Sequence, residues 1–448
     1  MKRIISSFRD REATVFINDQ ENKILRSFSN NRIQDISNIM QSKFFSNNKK
    51  KFVDTTIEQN QLVHKKIDFI CHPYELPFYL LAKSALLQLE LQIEAIDENI
   101  IFSDCSPFNV QYDYSTKPIF IDFGSLKLYE QNQPWYGYKQ FCEFYLAPLS
   151  LESYNNINYQ KLLNHSIEGL DLGLTSKLLS KKSYLNLNIL LNIHLHAKIL
   201  KKITSRTKIS QKKYVLTKHK YKSLLLSLKN TVEKFKSNNE TYWSEYGITD
   251  SYDKEALKSK EDALKSFVKK NHIRTLLDIG CNECHFSKLA LKNGVSRSIA
   301  VDNDLGSLNK AAEKIDQENL NILPLYIDLL NPTPGSGYMN KERESFLNRC
   351  KNFDGIIAFA IIHHLFIGGQ LPLDYIVKLL VSLAPNGLIE FVKKEDFQFQ
   401  ELMSTNKFIN LEEYSEEIFE KNLNENNCKF VKINLPNSSR VIYEYNKN

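Results

Sequence analysis

Short apolar runs separated by helix-length amphipathic segments fill the second half of the chain. Runs at 275–279, 298–302, 322–327, 354–360, 387–392, 428–434 and 439–445 read as strands, and helical spacing follows each of the first five. That alternation implies a mostly parallel sheet covered on both faces. The last two runs are separated only by Pro436-Asn437-Ser438, which predicts a hairpin and one antiparallel strand at the end of the sheet.

The first half follows another pattern. Ala13–Ile17 and Lys23–Arg26 predict a short hairpin, and Pro77–Ile96 a long helix with Leu80, Leu81, Ala85, Leu87 and Leu91 on its core face. Strands at Asn99–Phe102, Val110–Tyr112 and Pro118–Ile121 follow, then an aromatic, largely helical region around Trp135 and Phe141. The chain divides into residues 1–200, a basic helical connector over 201–240, and 241–448. The expected class is α/β: an α+β unit followed by a seven-stranded, Rossmann-like sheet.

Composition changes this picture little. The 448 residues, 42% hydrophobic and 25% charged, suit an ordinary globular protein of two or three domains. No apolar run is long enough for a membrane span, and Met1-Lys2-Arg3-Ile4-Ile5 leads into polar residues without a signal-peptide core, so a cytoplasmic protein is expected. Seven cysteines, an odd number, fit a reducing compartment. The net charge of +7 is uneven: Lys212, Lys213, Lys218, Lys220 and Lys222 belong to a basic stretch from Lys201 to Lys236 whose one acid is Glu233. Such a stretch suits nucleic acid or another polyanion, but a solvated helical connector is the favoured reading.

The candidate chemistry begins where the first strand of the second half enters a turn, Asp278-Ile279-Gly280-Cys281-Asn282-Glu283-Cys284, before a helix. The next strand ends at Asp302. This is the pattern of a β-α-β unit in which backbone amides approach a nucleoside and the second carboxylate takes a ribose diol. Asn282 and Cys284 stand where glycine is usual, and a left-handed Cys284 costs about 1–2 kcal/mol. The Cys281-x-x-Cys284 pair lacks the further ligands a zinc site needs, so no metal is expected.

The second half resembles class I S-adenosylmethionine-dependent methyltransferases, and more closely a bacterial nodulation-related group with a Gly-Cys-Asn turn. The segments Asp328-Leu329-Leu330-Asn331-Pro332, His363-His364-Leu365 and Glu390-Phe391-Val392 carry this likeness. The resemblance implies S-adenosylmethionine as cofactor, held by Asp278, Gly280, Asn282 and Asp302, with Asp328 near adenine. It implies an acceptor side formed by the loop with His363 and His364, either of which suits a general base near neutral pH, and by Glu390 as a weaker candidate. The group also has an N-terminal unit with a pattern like Pro134-Trp135-Tyr136-Gly137-Tyr138-Lys139-Gln140-Phe141-Cys142.

In that unit Asp104, Asn109 and Asp122-Phe123-Gly124 are spaced like the catalytic loop and metal-binding acid of the kinase fold. No glycine precedes Gly124, Phe102 replaces the loop histidine, and only Lys23 or Arg26 approximates the phosphate-binding lysine. The expectation is a kinase-like module without phosphotransfer. The acceptor is expected to be a small molecule or saccharide. The rivals are an adaptor whose fold has lost its cofactor, and a phosphotransferase acting through the N-terminal unit.

Overall fold

The computed structural model describes residues 2–4, 7–8, 10–28, 32–131, 133–204, 216–237, 253–405 and 410–447. Lys212 and Lys213 of the basic stretch lie outside them. The chain forms two units. One comprises Met1–Asp113, Lys117–Asn239 and Ser336–Arg343; the other comprises Tyr114–Thr116, Glu240–Gly335 and Glu344–Asn448. Among the described residues no helix is long and apolar enough to cross a membrane.

In the first unit β1 (Lys2–Arg3), β2 (Ala13–Asn18), β3 (Lys23–Phe28), β4 (Thr55–Glu58) and β5 (Gln61–Lys65) form an antiparallel sheet in the order β1-β2-β3-β5-β4. Two short antiparallel pairs follow: β6 (Ile100–Phe102) with β9 (Leu126–Leu128), and β7 (Val110–Tyr112) with β8 (Pro118–Phe120). The core between these strands and the helix Phe78–Ala95 is rich in phenylalanine: Phe44, Phe45, Phe52, Phe102, Phe120 and Phe123 interlock, mostly edge-on or tilted. The helix Lys218–Val232 buries Tyr221, Leu225, Leu228 and Val232. Its Lys222 pairs with Asp97 and its Lys229 with Glu90 and Glu233. Part of the basic stretch is thus already matched to acids.

The second unit holds β10 (Thr275–Ile279), β11 (Arg297–Asp302), β12 (Ile322–Tyr326), β13 (Gly355–Ala358), β14 (Asn386–Val392), β15 (Cys428–Asn434) and β16 (Arg440–Lys447). They form one seven-stranded sheet in the order β12-β11-β10-β13-β14-β16-β15. The pairs from β12 to β14 are parallel, and β16 runs antiparallel to both neighbours. The hairpin forms as expected, but the antiparallel strand is not at the end: β16 is inserted between β14 and β15. Burial explains the correction. All but the last two residues of β16 are buried, whereas only Cys428 of β15 is, and β15 presents Lys429 and Lys432, charges suited to a sheet edge.

The helices start where their caps dictate. Asp253 accepts from the Glu255 N–H and Asp304 from the Ser307 N–H, opening Lys254–Lys270 and Leu305–Glu318. The first packs Ala263, Leu264 and Phe267 on one side of the sheet with Leu276 and Ile357. The second packs Leu308, Ala311 and Ile315 with Ala300 and Ile322.

Candidate functional site

Strand order reverses between β10 and β13, so the connections leaving their carboxyl ends diverge, and a crevice opens there. The turn after β10 lies at this place. The Gly280 and Cys281 N–H groups both donate to the Val301 carbonyl, at 2.9 and 3.1 Å, and the Cys284 N–H donates to the Cys281 carbonyl at 2.8 Å. Gly280, Asn282 and Cys284 all take positive φ, 73°, 47° and 62°. Cys284 therefore does take the left-handed conformation, with its cost of about 1–2 kcal/mol. Its side chain is fully buried in the core with Leu308 and Ala311, and burial there is what offsets the strain.

The carboxylates gather around this turn. Asp302, at the end of β11, accepts the Asn282 N–H at 2.8 Å and the Asp304 N–H at 2.9 Å. Burial raises its pKa, and these backbone donors oppose the rise. Asp278 accepts the Ser287 hydroxyl at 2.6 Å. Burial pushes its carboxyl up to about 7, against the Ser287 bond and helped by the charge of Asp302. Asp328, just past β12, accepts the Leu330 N–H at 3.0 Å and starts a turn.

The loop after β13 is fixed from below. Ala360 has φ 51°, unusual for a residue with a side chain, and its N–H donates to Glu390 Oε2 at 2.7 Å. The same oxygen accepts Lys260 Nζ at 2.9 Å, and the two side chains are 0% and 1% exposed. Lys260 also lies 4.3 Å from the Phe359 ring centre and 4.9 Å from that of Phe286. Burial lowers its pKa to about 8, partly restored by Glu390. Arg440 Nη1 stands 4.0 Å from the other Glu390 oxygen, while its Nε donates to Asp396 at 2.8 Å.

His363 is not in a loop but has helical backbone at the entry to the π-helix His364–Gly368, fully buried, with no hydrogen-bond partner for either ring nitrogen among the described residues. Burial holds its pKa well below the usual value, and that of the adjacent His364 at about 4, with Arg440 adding to both shifts. The two ring centres are 4.3 Å apart. Both imidazoles are therefore neutral at pH 7, able to accept a hydrogen bond but weak proton acceptors. Glu390 is engaged in holding Lys260 and Ala360. Sequence reasoning missed Lys260 and Arg440; a lysine on the apolar face of Ala256, Ala263, Leu264 and Phe267 was the available signal.

In the first unit Asp104, Asn109 and Asp122 do come together. Asn109 Nδ2 donates to Asp122 Oδ2 at 3.4 Å, and Asp104 accepts the Ser106 N–H at 2.8 Å. Burial raises the Asp104 pKa, with the Asp122 charge adding to the rise. The other Asp122 oxygen accepts Arg26 Nη1 at 2.5 Å, and Arg26 Nη2 reaches Asp10 at 2.5 Å. A Cβ on Gly124 would come within 2.3 Å of that guanidinium, so glycine is what admits it. Among the described residues no group of three or more His, Cys, Asp and Glu side chains is placed to hold a metal ion.

Sheet order and turn together define a doubly wound α/β unit with an inserted antiparallel strand. No family model matches the chain. The nodulation protein NoeA of Rhizobium meliloti (strain 1021) is 33% identical over 391 residues, 86% of this chain and 82% of that protein. The chain belongs to the family of that nodulation protein. Among solved structures, the PH0226 protein of Pyrococcus horikoshii OT3 is 18% identical, covering 43% of this chain and 89% of that one at a TM-score of 0.31. The N-methyltransferase NodS of Bradyrhizobium japonicum WM9, solved with S-adenosyl-L-homocysteine, is 16% identical, covering 43% and 87% at a TM-score of 0.31. Likenesses at scores this low bear no weight on function.

Proposed function

We propose that the chain is an S-adenosylmethionine-dependent methyltransferase acting on a small-molecule or saccharide acceptor. The observation that carries this reading is the convergence of a left-handed turn and the Asp302 carboxylate beside the strand-order reversal. The residues fit such a cofactor. A carboxylate has roughly four acceptor positions, so Asp302 retains capacity for a ribose diol beside its backbone donors. Asp278, poised near neutrality by burial, is a carboxyl that a cationic ligand would ionise. The Cys284 side chain is taken up by the core, so the glycine-poor turn is no argument for a lost cofactor.

When bound, S-adenosylmethionine supplies an electrophilic methyl group on a sulfonium. This chain's part is then to bind and orient. Gly280 and Asn282 shape the turn, Asp302 would hold the ribose and Asp328 would serve the base end. The unpartnered nitrogens of neutral His363, with His364, accept or donate a hydrogen bond to the acceptor. Glu390, Lys260 and Ala360 position that loop rather than touch the acceptor. Holding the nucleophile in line supplies much of the rate in such transfers.

The N-terminal unit is read as a kinase-like module that serves acceptor recognition without phosphotransfer, because no glycine precedes Gly124 to form a phosphate-covering loop and Arg26 already supplies Asp122 with a cation. Titration calorimetry of the full chain with S-adenosylmethionine and S-adenosylhomocysteine tests the main reading. Binding to the parent and its loss in Asp302→Asn is the expected result. No binding up to millimolar ligand overturns it in favour of an adaptor.

A further inference from the structure

We propose that the helical end of the N-terminal unit, residues 172–202, is an interfacial surface that seats on an anionic lipid bilayer. It carries a stripe of exposed aliphatic side chains. Leu187, Leu191, Leu195 and Ile199 follow one another at four-residue steps and are 66%, 47%, 36% and 48% exposed. In a plain α-helix such a stripe drifts by about 120° over three steps. Here the segment Leu190–Leu195 is a π-helix set between α-helical pieces, and its wider turn reduces the drift. Leu185, at the end of the preceding 3-10 helix Lys181–Leu185, is 90% exposed, and Leu174 on the neighbouring helix Leu172–Leu178 is 50% exposed.

This apolar surface is built rather than frayed. His194 is fully buried and bonds Ser176 Oγ at 2.7 Å through Nδ1 and Ser183 Oγ at 2.8 Å through Nε2. The Tyr184 ring stacks on it at 3.8 Å. One imidazole thereby clamps the 3-10 helix bearing Leu185 and the helix Leu172–Leu178 to the striped helix, and the leucines stay exposed in spite of that order.

The charge around the stripe selects the partner. Lys177, Lys181, Lys182 and Lys198 are all exposed, and from Leu172 to Val232 the sequence has no acid. Protein-binding surfaces are enriched in Arg, Met and aromatic residues and depleted in Lys. Residues 172–202 contain no Arg, Met, Phe or Trp, and their exposed side chains are leucine, isoleucine, lysine and a single tyrosine. Aliphatic side chains that enter the acyl boundary beneath lysines that meet phosphate headgroups are the composition of a surface lying in a membrane interface. Such a surface crosses nothing.

The test is flotation of the full chain with vesicles of phosphatidylcholine alone and of phosphatidylcholine with phosphatidylglycerol. Binding to the anionic vesicles at low salt, falling as salt rises, is expected. Leu185→Ser with Leu187→Ser should weaken it about tenfold or more. Lys181→Glu with Lys182→Glu should weaken it by at least a similar factor, given about fivefold per lysine lost. Circular dichroism melts matching the parent would show that both variants fold. The proposal is overturned if the parent fails to float with anionic vesicles at low salt, or if both variants float as well as the parent. It is also overturned if ultracentrifugation shows a dimer that Leu187→Ser dissolves while vesicles capture nothing.

Discussion

Replacing Glu390 by Gln removes one charge from a site with no solvent access. The parent carboxylate satisfies Lys260 Nζ at 2.9 Å and the Ala360 N–H at 2.7 Å. Glutamine keeps an oxygen for Ala360 but leaves the ammonium of Lys260 buried without a counter-charge. Breaking a buried pair from one side costs about 3–5 kcal/mol. A loss of about 4 kcal/mol follows, or a fall in melting temperature of about 8–16 °C for a unit of this size. Calorimetry gives the global value, and amide exchange in β13 and β14 shows whether the loss is local. Lys260→Met in the same chain should restore stability to within about 2 kcal/mol of the parent, since replacing both partners of a buried pair is often close to neutral. A single variant within about 1 kcal/mol of the parent, or a double variant no better than the single, would refute the reasoning.

Three more outcomes are expected. Asp278 has a folded pKa of about 7, above the ordinary 3.8, so the folded chain binds the extra proton between those values and stability falls as pH rises through that window. Asp278→Asn should flatten that fall in denaturant titrations from pH 4 to 7; an unchanged slope means another group causes it. His363 has the opposite sign: its folded pKa lies well below 6.5, so stability is lost as pH drops below 6.5, and His363→Phe should blunt this acid sensitivity. Cys284→Gly trades relief of about 1–2 kcal/mol of left-handed strain against a lost buried side chain, so stability should change by no more than ~1 kcal/mol. The same variant should retain S-adenosylmethionine binding by calorimetry, whereas Cys284→Val should lose at least ~2 kcal/mol because a β-branched residue fits φ 62° worse.

The parallel strands of the second unit were legible because their apolar runs are continuous and the helices between them periodic. That Cys284 stands at a position where glycine is usual was legible in the turn itself, but its left-handed φ of 62° came only with the fold. What periodicity does not encode is pairing between distant segments. Lys260 and Glu390 are 130 residues apart, and only the folded sheet shows that one side chain answers the other. The place of β16 depends on which of two hairpin strands better tolerates a sheet edge, a comparison that the lysines of β15 permitted but that the hairpin signal alone did not make. Arg26 was noticed as a stand-in for a phosphate-binding lysine, yet its grip on Asp122 and Asp10 depends on three separate segments meeting.

The carboxylate of Asp302 also stitches two loops together, taking one backbone N–H from the turn after β10 and another from the loop after β11. The nucleoside end of the proposed site is thus assembled by the atoms that would read its ligand. On that proposal recognition and architecture share one acid at that corner: a change there that altered ligand preference would also unfasten the corner.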